Sequence, residues 1–190
     1  FRWDFAPPAT LLSPSTDPLA GGLQIVRTGT SFGCTLGFVA QRNSVLGFVT
    51  ASHCTSDFLW VDYSQFTQTP PSPIIGTETV DAPAYWCGAI KCRGSDAAFI
   101  ESSLQLPMTV GKILRTTSTG SINVDLARPY FTAIYYQDDV LLGQIVDKVG
   151  ITTGWTTGYV NYTCIDFYIW EAGIPYVVRC SAQGTYPADA

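Results

Sequence analysis

The chain has little charge, one histidine and no long apolar run. Lys, Arg, Asp and Glu make up 13% of its 190 residues, and the formal net charge is −5. Without an excess of basic residues the surface offers nothing to hold phosphate groups, so no nucleic-acid partner is expected. Apolar runs reach only about seven residues, far short of the ~20 that cross a bilayer as a helix, so no membrane association is expected either.

Metal and cofactor chemistry also lacks support. The six cysteines include no Cys-x-x-Cys pair and there is a single histidine, so neither a zinc site nor another cofactor is expected. An even number of cysteines is instead typical of a protein with disulfides from an oxidising compartment. The chain starts at Phe1 with no basic leader ahead of an apolar segment, which is expected of a secreted protein after removal of its signal peptide.

What the chain does have is a histidine, His53, at the end of an apolar run. Residues 45–51 are β-branched and aromatic and are bounded by polar residues, which predicts a short buried strand. A histidine at the end of such a strand has a rigid base beneath it and solvent on one side, as a general base requires. A histidine that merely caps a strand is the alternative, and its position alone does not decide.

A candidate carboxylate partner, Asp96, opens a second apolar stretch at 97–100. Small residues around it let neighbouring chain approach closely, so Asp96 can be shielded from water and directed at one imidazole nitrogen. There it would fix the tautomer and stabilise the imidazolium that forms during proton transfer. An aspartate that caps a turn before a strand is the alternative.

The chain as a whole reads as short strands. Its apolar runs are punctuated by Gly, Asn, Pro and Ser, and no stretch keeps the period of an amphipathic helix, so an all-β sandwich or barrel is predicted. Residues 1–20 are rich in proline and are expected to be extended. The predicted strands are 23–26, 34–40, 45–51, 58–63, 97–100, 110–114, 122–126, 131–136, 144–149, 159–168 and 176–180.

Several motifs follow one another in a specific order. They are Pro18-Leu19-Ala20-Gly21-Gly22-Leu23-Gln24-Ile25, Thr50-Ala51-Ser52-His53-Cys54, Ser95-Asp96-Ala97-Ala98-Phe99 and Lys148-Val149-Gly150-Ile151-Thr152-Thr153-Gly154-Trp155-Thr156-Thr157-Gly158. Together they resemble the secreted bacterial branch of the chymotrypsin/trypsin-like serine proteases, over nearly the whole chain from about Pro18. The resemblance implies that His53 is the general base and that Asp96 orients it.

The resemblance also implies the architecture. It selects two antiparallel β-barrels with the active site in the cleft between them. The expected division is an extended segment at 1–20, a first barrel at 21–108 that carries His53 and Asp96, and a second barrel at 109–190.

The nucleophile of the family has no counterpart within the 190 residues. In such proteases the serine lies in a Gly-Asp-Ser-Gly motif, which no segment matches. Either the motif begins after Ala190, or Asp189 and Ala190 are its Asp-Ser with the serine replaced. The run of small residues ahead favours the first interpretation. The second barrel is then incomplete, a companion C-terminal segment is expected to complete it, and these residues alone are expected to be inactive. Substrate-binding residues stay unassigned, because the specificity pocket of the family is built largely from residues after this motif.

Spacing and the resemblance together suggest three disulfides. The suggested pairs are Cys34 with Cys54, Cys87 with Cys92, and Cys164 with Cys180. The first would clamp the turn that carries His53, and the third would tie two strands joined by a turn at 170–175. A cysteine nucleophile would require Cys180, whose neighbours lack the glycines that expose such a thiol.

Two functions from different classes remain at this point. The first is a secreted serine endopeptidase that hydrolyses peptide or protein substrates by a Ser-His-Asp mechanism, with the serine beyond Ala190. The second is a catalytically inactive homologue that binds peptides or a protein in the same cleft. The presence of both His53 and Asp96 favours the enzyme, because a binding protein has no chemical need for the pair.

Overall fold

A computed structural model describes residues 18–57, 59–68, 72–102, 107–132, 139–171 and 173–185. These residues form β-strands in three sheets, with one short 3₁₀ turn. The all-β prediction is confirmed. In the part of the chain that the structure describes, no helix is long and apolar enough to span a bilayer.

The strands of the described residues are numbered in chain order. They are β1 (Leu19–Gly21), β2 (Gln24–Arg27), β3 (Gly33–Thr35), β4 (Phe38–Arg42), β5 (Val45–Thr50), β6 (Gln65–Thr67), β7 (Gly76–Asp81), β8 (Tyr85–Cys87), β9 (Ile90–Arg93), β10 (Ala98–Ser102), β11 (Met108–Leu114), β12 (Tyr130–Thr132), β13 (Ile145–Gly150), β14 (Gly154–Glu171) and β15 (Ile174–Thr185). The 3₁₀ turn covers Ser52–Cys54 and directly follows β5.

The largest sheet carries the main core. Its strand order is β3-β2-β6-β7-β10-β5-β4, and every neighbouring pair is antiparallel. Phe48 and Phe66 are fully buried and meet edge to face in the core, where each contributes about 1.5–3 kcal/mol by burial. The buried apolar side chains of this cluster are Leu19, Ala20, Leu23, Ile25, Cys34, Leu36, Val39, Phe48, Cys54, Phe66, Ile75, Ala98, Ile100 and Leu114.

The hairpin of β4 and β5 shows how local sequence sets the register. Its two turn residues, Asn43 and Ser44, have φ values of 49° and 67°. Positive φ at both central positions matches the twist of a two-residue hairpin, and asparagine tolerates this conformation better than most residues. Further along β5, a Cβ added to Gly47 would lie 2.3 Å from the carbonyl oxygen of Ile100, so glycine is what permits β10 to pack at this distance.

One predicted strand, 34–40, is divided in two by a change of partner. Strand β3 pairs with β2, whereas β4 pairs with β5. The backbone crosses between them at Leu36, whose N–H donates to the Leu23 carbonyl, and at Gly37, whose N–H donates to the Val49 carbonyl. A continuous apolar run therefore contributes to two separate ladders.

Two other predicted strands, 58–63 and 122–126, are wrong, and both failures have one cause, the aspartates in or next to these segments. Aspartate side chains there accept hydrogen bonds from backbone N–H groups a few residues ahead, which stabilises turns in place of a ladder. Asp57 and Asp62 do so in the first segment, and Asp125 does so in the second. Of residues 58–63, only 59–63 are described, and part of the prediction at 131–136 also lies outside the described residues.

Strands β1, β6, β7, β8 and β9 were not predicted. Strand β7 has the sequence Gly-Thr-Glu-Thr-Val-Asp, with valine as its one apolar side chain, and its Glu78 and Asp81 are buried. A strand that buries charged side chains has no continuous apolar run to reveal it.

The two smaller sheets connect early and late parts of the chain. One has the order β1-β11-β12 and the other the order β13-β14-β15-β9-β8. Strand β1 runs parallel to β11, and β9 runs parallel to β15. Both pairings cross the boundary predicted at residues 108 and 109, and the division into two barrels remains a prediction.

Candidate active site

His53 is held on the 3₁₀ turn that follows β5. The strand ends at Thr50, whose hydroxyl donates to the Thr35 carbonyl at 2.9 Å. The N–H of Thr55 closes the turn by donating to the Ser52 carbonyl at 2.9 Å. The imidazole thus projects from a fixed piece of backbone, with 40% of its side chain exposed.

Asp96 reaches the same place by way of β10. Because β5 and β10 are antiparallel, with Thr50 opposite Ala98, the end of one strand lies beside the start of the other. Asp96 comes two residues before Ala98, and 20% of its side chain is exposed. The two sequence motifs are therefore brought together by one strand pairing.

The two side chains are in direct contact. Nδ1 of His53 lies 2.6 Å from Oδ2 of Asp96, and the backbone N–H of His53 donates to Oδ1 at 3.1 Å. A carboxylate can only accept, so Nδ1 carries the hydrogen, and Nε2 is the acceptor nitrogen of the neutral ring. The two contacts thus fix the orientation of the imidazole ring.

The surroundings keep Asp96 ionised. Burial alone would raise the pKa of this carboxyl group. Hydrogen bonds from the ring and backbone of His53, the imidazolium charge and the charge of Arg93 outweigh burial and lower the pKa below its usual value. The negative charge is then present at neutral pH, where it can stabilise an imidazolium.

The cysteines lie in the three suggested pairs. Disulfides link Cys34 with Cys54, Cys87 with Cys92, and Cys164 with Cys180. The first joins the end of the turn at His53 to β3. The third joins β14 to β15, so Cys180 is a disulfide partner and not a thiol.

Three further residues adjoin the pair, and the sequence did not single them out. Ser52, Asp81 and Arg93 have fully or almost fully buried side chains and form hydrogen bonds with one another. Ser52 directly precedes His53. No sequence motif marks Asp81, which approaches only because β7 pairs with β10. Among the residues that the structure describes, no group of three or more His, Cys, Asp or Glu side chains could hold a metal ion.

A second buried acid, Glu78, supports the loop that follows the turn. Its side chain is completely buried on β7, and Oε2 accepts the backbone N–H of Asp62 at 2.9 Å. Burial, the hydrogen bond with the Asp62 side chain and the charges of Asp62 and Asp81 raise the pKa of Glu78 to about 8, against the effect of the Asp62 N–H. Glu78 is therefore mostly protonated at neutral pH.

The C-terminal residues that bear on the nucleophile are not among the residues that the structure describes. Asp189 and Ala190 belong to the segment 186–190, which lies beyond the described residues. The two interpretations of the missing serine therefore both stand, and no substrate-binding residue is assigned.

Comparisons with known proteins identify the fold. No family model matches the chain, and no curated protein does. Among solved structures, Thermobifida fusca protease A has a TM-score of 0.58 at 20% identity, over 88% of this chain and 74% of that one. The Nocardiopsis protease has a TM-score of 0.56 at 22% identity, over 85% and 69%. Cellulomonas bogoriensis chymotrypsin has a TM-score of 0.57 at 20% identity, over 90% and 71%.

These neighbours are bacterial serine proteases of the chymotrypsin-like class. At such identities the similarity establishes the architecture, so the chain has the chymotrypsin-like β-barrel fold that its motifs led us to expect. The chemistry of the chain has to be argued from its own residues.

Proposed function

We propose that this protein is a secreted serine endopeptidase in which His53 is the general base and Asp96 orients it. The contact of 2.6 Å between His53 Nδ1 and Asp96 Oδ2 carries the proposal. It is the geometry that a base requires to exchange protons through Nε2 without rotating. The fold of known serine proteases and three disulfides, which suit an oxidising environment outside the cell, support it.

The proposed reaction assigns each group one task. The oxygen of a serine hydroxyl forms a bond to the carbonyl carbon of a peptide. At the same time Nε2 of His53 takes the proton of that hydroxyl. Asp96 stabilises the resulting imidazolium. When the carbon–nitrogen bond breaks, the same proton passes to the departing amine, which leaves an acyl-enzyme. Water then attacks this ester by the same route, with His53 again as the base.

The nucleophile of this proposal is a serine beyond Ala190. No serine within the 190 residues lies in a Gly-Asp-Ser-Gly motif. We place that motif in a companion C-terminal segment, which would also complete the second barrel and supply the groups that bind the substrate. The 190 residues alone are then inactive.

The test uses the full-length protein, a fluorophosphonate probe and a set of peptide substrates. Labelling of one serine beyond position 190 is expected, and His53→Ala should abolish it. The matched control is Asp166→Asn, which removes an exposed ion pair with Arg179 and should leave labelling unchanged.

Other outcomes are equally informative. Folded protein that neither reacts nor cleaves, but binds peptides, would show that the chain is the inactive homologue. Labelling of a serine within the 190 residues, dependent on His53, would show that the nucleophile has been placed in the wrong segment.

A further inference from the structure

Next to His53 and Asp96, which we call the candidate dyad, lies a buried ion pair bridged by a hydroxyl. The guanidinium of Arg93 and the carboxylate of Asp81 are in contact, and both side chains have 0% exposure. The hydroxyl of Ser52, also fully buried, donates to Asp81 Oδ2 at 2.7 Å and accepts from Arg93 Nη1 at 2.6 Å. Three polar side chains from three segments thus close a ring.

The carboxylate of Asp81 has several partners. Oδ1 accepts from Arg93 Nη2 and from the N–H of Ala82 at 2.7 Å, while Oδ2 accepts from Ser52. Arg93 Nη2 also donates to the Ala82 carbonyl at 3.2 Å. These contacts fix Asp81 and Arg93, the two partners of the Ser52 hydroxyl. Ser52 therefore has little freedom to rotate, because any other rotamer would break two hydrogen bonds in the interior.

Stability is a poor explanation for a charge pair at this position. Removing two charges from water is costly, and buried ion pairs often stabilise a fold no better than apolar residues of the same volume. What a cluster of mutually hydrogen-bonded side chains does provide is a fixed geometry.

The cluster is joined to both members of the dyad. Ser52 directly precedes His53 in the 3₁₀ turn, and its N–H donates to the Asp96 carbonyl at 3.3 Å. Arg93 ends β9, three residues before Asp96, and its charge contributes to the low pKa of that carboxyl group. A shift of Ser52 would move the backbone of the base, and a shift of Arg93 would move the segment that leads to its partner.

We propose that Ser52, Asp81 and Arg93 are positioning residues that hold His53 and Asp96 in register. The role in catalysis rests on the proposed protease function, whereas the effect on the geometry of the dyad does not. None of the three touches the reacting atoms. They act by fixing the turn that carries the imidazole and the segment that carries its carboxylate.

The most direct test is Ser52→Ala in the full-length protein. The variant removes one hydroxyl and leaves both charges paired. A loosened turn displaces the imidazole, and a misplacement near 1 Å can cost about 100-fold in rate, so we expect kcat to fall about tenfold or more while KM changes less than about twofold.

A second readout does not depend on activity. With ¹⁵N-labelled histidine, NMR reports the pH midpoint at which the His53 ring titrates, and His53→Ala assigns the resonance. We expect Ser52→Ala to move this midpoint to lower pH, because a looser contact with Asp96 stabilises the imidazolium less. A purely structural role would leave the midpoint unchanged.

Thr116→Val is the matched control. The hydroxyl of Thr116 is also buried and donates to the Ser118 carbonyl at 2.9 Å, but Thr116 belongs to no part of the cluster. The control should lose a similar amount of thermal stability and keep the parent's kcat and His53 midpoint.

Asp81→Asn is a second, stronger variant. It leaves the charge of Arg93 uncompensated near the dyad, so the His53 midpoint should again move to lower pH. If this variant does not fold, Ser52→Ala decides alone. An unchanged midpoint in Ser52→Ala, with kcat within twofold of the parent, would overturn the proposal. If Ser52→Ala shifts the His53 midpoint but the parent protein cleaves no peptide, the positioning role is retained and the protease function is refuted.

Discussion

The carboxylate of Asp96 accepts two hydrogen bonds from one residue. Oδ1 accepts the backbone N–H of His53, and Oδ2 faces the ring nitrogen. Both oxygens are therefore assigned, and the carboxylate cannot rotate without losing one contact. An amide of the same shape would place an NH₂ group against one of the two donors, or force the ring into the other tautomer.

Asp96→Asn should therefore abolish most of the activity and leave the fold intact. If the proposed protease function holds, kcat of the full-length protein should fall by about 10⁴-fold, because the imidazole then presents the wrong nitrogen. Steady-state kinetics measure the loss, and Asp166→Asn is the control that removes an exposed carboxylate. A decrease of less than about tenfold would mean that Asp96 does not orient the base.

Glu78 links stability to pH in the direction opposite to an ordinary salt-bridged acid. Its pKa is about 8 in the folded chain and 4.5 in its usual setting, so between these values the folded state holds a proton that the unfolded state has released. This contribution to stability is complete below about pH 4.5 and is lost as the pH rises through about 8.

Glu78→Gln should remove this dependence. The amide keeps an oxygen that can accept the N–H of Asp62, and it does not ionise. The unfolding free energy of the parent relative to the variant should decrease with pH across this window, on the order of 1 kcal/mol per pH unit. Denaturant titrations at a series of pH values measure it. A difference between the two proteins that is constant from pH 5 to 8 would contradict the assignment.

At the scale of elements, two disulfides close loops of similar length but connect different parts of the fold. Cys34 and Cys54 are 20 residues apart, and Cys164 and Cys180 are 16 apart. The chain-entropy contribution of each is about 3 kcal/mol. Only the first is attached to the turn at His53, whereas the second joins two strands already paired by backbone hydrogen bonds.

Replacing each pair by alanine should separate stability from activity. Both double variants should lose a comparable part of their unfolding free energy. Only the Cys34→Ala, Cys54→Ala protein should also lose kcat, by about tenfold or more, because the base is less well oriented. Equal loss of activity in both would show that the first disulfide has no special role at the site.

The approach of β10 to β5 depends on Gly47. A methyl group there would lie 2.3 Å from the Ile100 carbonyl oxygen and 2.6 Å from the Phe99 ring, so Gly47→Ala must displace a backbone segment. We expect a loss of about 1–3 kcal/mol in unfolding free energy. Gly94→Ala, with nothing within 4 Å and no positive φ, is the control and should change stability by less than about 0.5 kcal/mol. Similar effects of the two would refute the steric explanation.

At the scale of the whole molecule, the two halves of the chain share sheets. Strand β1 finds its partner in β11, and the β8–β9 hairpin finds its partner in β15. A strand separated from its partner leaves backbone groups unpaired. Neither half holds all the strands that its own sheets need.

Fragments divided at the predicted boundary should therefore not fold alone. We expect residues 1–108 and the remainder of the full-length protein to lack cooperative unfolding when separate and to regain it when mixed. Circular dichroism during denaturation tests each case. Cooperative unfolding of the first fragment alone would show that the first barrel is an independent domain.

The apolar runs of the sequence correctly predicted strands whose residues are both buried and mostly apolar. The run at 45–51 corresponds to β5, and the stretch at 97–100 begins β10, because both are buried and mostly apolar. Loops built on aspartate side chains, such as 59–63, have the same apolar content, so hydrophobicity alone misassigned them. Strand β7 was missed because it is a strand with little apolar content, which buries the charged residue Glu78.

For the candidate site, the sequence by itself predicted the pair His53 and Asp96 through ordered motifs that resemble those of a known protease family, because the position of either residue at the end of a strand does not decide its role. Only the tertiary structure decided that Asp81 and Arg93 adjoin Ser52. That cluster depends on β7 being the neighbour of β10 and on a register irregularity between them. Strand neighbours are chosen by packing over the whole sheet, so no local pattern records them.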